Sequence, residues 1–136
     1  MRERVKKLYQ DFKNATANLN TAVHTAKDEL KIDGTIKRFE LCFELSWKLI
    51  KAYLEDKGII CNSPRECFKH AKLNALIEDE EIWMAMIEDR NFLVHTYTFE
   101  ESRKIFENIK EKYLNSFSRL NEFLREDFAD ELGSKA

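Results

Sequence analysis

The chain has 136 residues, a formal net charge of −2 and 35% charged residues of both signs, with an isoelectric point near 6.0. That length fits one domain able to bury on the order of 65–70% of the surface its unfolded chain exposes. The balance excludes a strongly basic surface that grips nucleic acid by charge alone, and leaves room only for a local patch. No apolar run approaches the roughly 18 residues of a membrane span. The N-terminus opens directly on a charged helical pattern, with no targeting segment. Three cysteines, Cys42, Cys61 and Cys67, are an odd count without a signal peptide. They read as free thiols in a reducing cytoplasm. Three glycines and one proline leave little turn chemistry and favour long helices.

In chain order, Val5, Leu8, Phe12, Ala15, Leu19, Ala22 and Ala26 recur at steps of three and four, the seam of a bundle helix that ends near Leu30. Asp33 offers the next N-cap, and Ile36, Phe39, Phe43, Trp47, Ile50 and Leu54 form a second stripe closed by Gly58. "SPRE" at 63–66 sets Ser63 as a cap, Pro64 at the first helical position and Glu66 in a capping box. A short helix follows to about Leu76. "EDEEIW" puts acids in the first turn of the next helix, which the pattern carries to near His95. Thr98 and Glu101 make a second capping box. The last helix shows Phe99, Ser102, Phe106, Ile109, Tyr113, Phe117, Leu120 and Leu124. The predicted fold is all-α: an antiparallel up-and-down bundle of four to five helices, one domain over 1–128, with a frayed tail over 129–136.

Three groups of residues carry chemistry. Cys61, Cys67 and His70 have zinc-ligand character, but there is no fourth ligand and Cys-x5-Cys is not a usual zinc spacing. They read as small, partly buried residues near a loop, and neither metal nor cofactor is expected. Glu40, Glu44 and Lys48 step by four on the second helix. Glu44–Lys48 reads as an ordinary surface pair, unless one glutamate turns inward to an arginine. The third group is "DRNFLVHTY", 89–97. Trp83, Met86, Ile87, Leu93 and Val94 mark an apolar stripe, and Arg90 falls on it. An arginine aimed at a core is costly unless paired, and Glu40 or Glu44 is the partner at hand. Asn91 and His95 share a helix face. Arg90 and His95, five apart, point about 140° from each other on a straight helix. Either the helix breaks before His95, or the two meet across a symmetric dimer. The alternative to a functional site is a satisfied polar cluster that fixes packing register.

The combination Arg90-x4-His95-x-Tyr97, with "RFELCFELSWKLIK" at 38–51 and Trp83 ahead of Arg90 and Asn91, resembles the nucleotidyltransferase substrate-binding family of the HEPN superfamily over about residues 5–125. The resemblance implies a HEPN-like helical bundle and a homodimer with the motif helices near the two-fold axis. It also implies a partner, a minimal nucleotidyltransferase, in a two-gene module of toxin–antitoxin type. Its first implied function is a binding subunit, in which Arg90, Asn91, His95, Glu40 and Glu44 hold a nucleotide or phosphate for the transferase. The alternative is a metal-independent ribonuclease, with His95 as general acid/base, Arg90 stabilising phosphate charge and Asn91 orienting. In that reading the partner silences the enzyme by adenylylating Tyr97. The acidic isoelectric point leans against RNA.

Overall fold

The computed structural model describes residues 2–133, and side chains over 3–129. The helices are α1 (Arg2–Thr25), α2 (Glu29–Glu55), α3 (Pro64–Leu73), α4 (Glu80–Phe92), α5 (Phe99–Asn108) and α6 (Leu114–Gly133). A π turn, Ile109–Tyr113, joins α5 to α6, so 99–133 form one rod and the bundle has five helical segments. The tail expected to fray from residue 129 lies partly in that rod, and 134–136 are outside the described residues.

The first connection differs from the sequence reading. α1 stops at Thr25, and Asp28, not Asp33, caps α2 by accepting from the Lys31 amide at 2.9 Å. Leu30, which extends the first stripe in sequence, is 81% exposed on α2. Both aspartates are competent caps, and the choice falls to tertiary packing. It buries Ile32, Thr35 and Ile36 against the core.

The closures at Gly58 and Thr98 follow their sequence signals, and the end of α3 does not. Gly58 has φ +80°, and Ile59 N–H reaches Leu54 O while Gly58 N–H reaches Glu55 O, both at 2.9 Å. This is the Schellman closure that glycine favours. α3 ends three residues before the expected Leu76. Ala75 takes the left-handed position, φ 62°, and Leu76 N–H bonds Ala71 O at 2.9 Å. The Thr98–Glu101 capping box is complete in both directions, at 2.9 and 3.2 Å.

Aromatic pairs set the packing. Tyr9 meets Phe128 and Phe12 meets Phe117, so the rod runs antiparallel to α1. Phe39 stacks on Tyr113 and Tyr53 meets Phe123, so the rod runs the same way as α2. α3 and α4 carry the chain back between them. Phe43, Phe68, Trp83 and Phe117 then form a continuous ladder across the core.

Cys61 and Cys67 are joined as a disulfide with Cα atoms 5.2 Å apart, within the usual range. The free-thiol reading is corrected for this pair. The α3 cap supplies the reason: Ser63 Oγ accepts from the Glu66 amide and Glu66 Oε1 accepts from the Asn62 amide. These bonds fold the chain before α3 back over its first turn. Cys42 is the free cysteine, and buried.

Candidate functional site

α4 ends at Phe92, three residues before the expected boundary. Leu93 N–H bonds Asp89 O at 3.1 Å, but Val94 then turns to Asn91 O and His95 to Phe92 O. The helix thus tightens and stops. Thr98 must begin a new helix three residues after His95, so the chain leaves the α4 axis here. The break before His95 is one of the two solutions its spacing leaves open.

Arg90 leans out of the stripe toward α2. Its Nη1 donates to Glu44 Oε1 at 3.1 Å. The other oxygen, Glu44 Oε2, accepts from the Trp47 indole N–H at 3.1 Å. The guanidinium lies over the Phe43 ring, 4.8 Å from its centroid, a cation–π contact. Arg90 and Glu44 retain 27% and 39% side-chain exposure, so the pair sits at the core edge, not within it. Arg90 Nε is buried with no hydrogen-bond partner. One carboxylate and one ring therefore orient the guanidinium without using all its donors.

The remaining predicted residues surround this pair but do not bond to it. Glu40 faces Lys37 at 3.8 Å instead of Arg90. Glu44 is committed to Arg90 and Trp47, not to Lys48 as the surface reading had it. Asn91 and His95 are exposed, and neither side chain bonds a described residue. Tyr97 is half-buried, its ring 6.5 Å from Phe92. Leu41, Phe92 and Val94 are exposed apolar residues in the same segments, at 54%, 37% and 69%.

On the far side of α4, Asp89 accepts from the Tyr113 phenol at 2.5 Å and from Asn108 Nδ2 at 3.1 Å, both on Oδ2. Burial first, then the Asp89 bond and charge, push the Tyr113 phenol well above its ordinary range. At the other end of α4, Asp79 accepts from the Trp83 indole at 3.1 Å and from the Ser116 hydroxyl. Sequence reasoning missed these anchors, although Asp89 next to Arg90 and Asp79 four before Trp83 were visible. It also missed Trp47 as the holder of Glu44, where the i, i+3 spacing was the available signal. Among the described residues, no three His, Cys, Asp or Glu side chains gather as a metal site, and no helix is long and apolar enough to cross a membrane.

Comparisons with known proteins converge on one family. Residues 7–126 match the family described as "Nucleotidyltransferase substrate binding protein like". The chain is 31% identical over 100 residues to a Haemophilus influenzae protein named "Probable ribonuclease HepT", covering 70% of this chain and 68% of that one. A crystal structure of a Thermus thermophilus protein superposes with a TM-score of 0.70 at 30% identity, covering 85% of this chain and 97% of that one. With its all-helical fold and its Arg-x4-His-x-Tyr segment at the end of α4, this chain belongs to the nucleotidyltransferase substrate-binding family of the HEPN superfamily.

Proposed function

We propose that this protein is the phosphate-gripping partner of a minimal nucleotidyltransferase, the HEPN half of a two-gene module of toxin–antitoxin type. The observation that carries the reading is the Arg90 guanidinium, oriented by Glu44 and Phe43 with donors to spare, in the same segment as Asn91 and His95, whose side chains bond no described residue. An oriented guanidinium with free N–H groups suits a phosphate oxygen. The exposed Leu41, Phe92 and Val94 suit the homodimer this reading includes, with the two α4 ends near the two-fold axis. The reading carries a cytoplasmic location with it. Light scattering checks the assembly: a monomer near 16 kDa at micromolar concentration would overturn the dimer.

A second reading is supported by the intact motif and by the name of the Haemophilus relative, a probable ribonuclease. Here the protein is a metal-independent ribonuclease. The RNA 2′-hydroxyl gives its proton to His95 as its oxygen attacks the adjacent phosphorus. The bond from phosphorus to the 5′-oxygen breaks, and that oxygen takes a proton from water as it leaves. Arg90 stabilises charge on the phosphate, and Asn91 orients it. Adenylylation of Tyr97 by the partner would place an anion in reach of the groups that bind RNA phosphate. Incubation with labelled RNA in chelator separates the readings. Products ending in 2′,3′-cyclic phosphate support the nuclease; intact RNA leaves the binding subunit. Co-expression with the adjacent transferase, followed by intact-mass measurement, tests Tyr97. No added AMP with a demonstrably active transferase removes Tyr97 from the mechanism.

A further inference from the structure

A groove of about 420 Å³ opens between the end of α1 and the start of α2. Among the described residues, Lys31 and Arg38 are its only charged lining residues, and no carboxylate lines it. This is notable in a chain whose acids outnumber its bases 25 to 23. Seven residues apart, the two cations stand on one face of α2, about 10 Å along its axis. Neither side chain bonds a described residue.

Gly34 lies between them. A glycine inside a helix is less stable than alanine there. A Cβ at Gly34 would meet nothing within 4 Å, so contacts inside the protein do not require the glycine. The space a side chain would take here is part of the open groove. Asn18 and Thr21 line the opposite wall from α1. Thr21 donates its hydroxyl to Ala17 O at 3.2 Å, which leaves its oxygen able to accept. The Asn18 amide has no partner among the described residues and can do both. Leu30, 81% exposed, supplies apolar surface at the rim.

We propose that this groove binds a small phosphate ester of the nucleoside monophosphate class. The phosphate lies over Gly34 between Lys31 and Arg38, the sugar hydroxyls meet Asn18 and Thr21, and the base rests on Leu30. The volume is in the range of small-ligand sites, and the polar groups match the three parts of such a ligand. The groove is separate from the Arg90 site. Arg38 and Glu44 are six residues apart on α2 and point about 120° from each other. The inference stands whether or not Arg90 serves the role proposed above.

The test uses the full chain, AMP as probe and adenosine as control, with amide chemical shifts as the readout. AMP is expected to shift the amides of Lys31, Gly34 and Arg38, and adenosine to leave them in place. Arg38→Gln is expected to weaken AMP about tenfold or more. Gly34→Ala is expected to raise Tm through helix propensity and still weaken AMP, a combination that misfolding cannot produce. Arg90→Gln is expected to leave the AMP affinity read from the Lys31, Gly34 and Arg38 amides within about twofold, whatever it does to binding at the end of α4. Three results would overturn the proposal: no shift with millimolar AMP, equal binding of adenosine, or wild-type affinity in Gly34→Ala. Binding lost in Arg90→Gln and kept in Arg38→Gln would also overturn it, and would assign AMP to the end of α4.

Discussion

Two pairs of polar residues in this molecule are five apart in sequence, and the chain treats them differently. Asn108 and Tyr113 donate to the same oxygen of Asp89. Arg90 and His95 do not share a partner. On an α-helix both pairs would diverge by about 140°. The rod solves the problem by widening into the π turn Ile109–Tyr113, which puts i and i+5 on one face. α4 instead stops, and releases His95 into a turn. In the first pair Tyr113 is buried and Asn108 half-buried, and both are tied to one acceptor. The second leaves Arg90 with donors to spare and the His95 side chain exposed. A satisfied network describes stability, and a network with capacity left over describes binding.

The largest expected effect breaks this comparison if it fails. His95→Ala should lower RNA cleavage, in the nuclease reading, by about 10²–10⁴-fold, with stability within about 0.5 kcal/mol of wild type. A marked fall in Tm would mean that His95 belongs to a structural network after all. Next comes the opposite pattern at Asp89. Asp89→Ala leaves the Tyr113 phenol and Asn108 amide without their acceptor and should cost about 1–3 kcal/mol in denaturant unfolding. Tyr113→Phe in the same background should cost little more, since the two act through one contact.

Arg90→Ala is expected to be milder. Both partners are partly solvated, so the pair contributes about 1 kcal/mol or less, well below a fully buried pair. Loss of phosphate or RNA binding with this small change in Tm would sharpen the contrast with Asp89. A loss above about 3 kcal/mol would show that the guanidinium is structural first.

A last effect is absent at neutral pH and appears only at high pH. Burial pushes the Cys42 thiol from 9.0 up to about 12, against opposing contributions from Thr16 and Arg38. Burial and Asp89 raise the Tyr113 phenol from 10.0. Both groups are held protonated in the fold. Their contribution is complete below pH 9 and is lost as the unfolded chain ionises first above it. Stability should fall from pH 9 upward. Cys42→Ala should flatten the slope between pH 9 and 12, and Tyr113→Phe the slope above pH 10. An unchanged slope in both variants would remove these groups as its cause.

Much of the bundle was legible. Phe12, Ala15 and Leu19 of the first stripe and Ile36, Phe39, Phe43, Ile50 and Leu54 of the second are buried as their period demands, with Leu8 and Trp47 at the half-buried edges. The Gly58 closure, the Ser63 cap and the Thr98 box are chemical signals that act locally, and they hold, but Glu66 accepts from the Asn62 amide instead of closing a capping box on Ser63. The start of α2 was ambiguous because Asp28 and Asp33 cap equally well on local grounds. The π turn was hidden because its stripe, Ile109, Tyr113, Phe117, still steps by four. The disulfide was missed because an odd count argued for free thiols. Only the cap geometry around Ser63 brings Cys61 and Cys67 together. At the site, an inward glutamate on α2 was legible as a partner for Arg90. Which of Glu40 and Glu44 it would be depended on how α2 faces α4, a tertiary fact.

The Trp47 indole gives the protein a built-in optical reporter. The chain has two tryptophans. Trp83 is fully buried in the core, shielded from events at the surface. Trp47 is half-buried and bonded to the glutamate that holds Arg90. In a Trp83→Phe background, indole emission would come from a single position one side chain removed from the guanidinium. A ligand that draws Arg90 away from Glu44 would alter the polarity and hydrogen bonding of that indole. Binding at the end of α4 can therefore be followed by emission wavelength without a label, while occupancy of the α1–α2 groove would leave the signal unmoved.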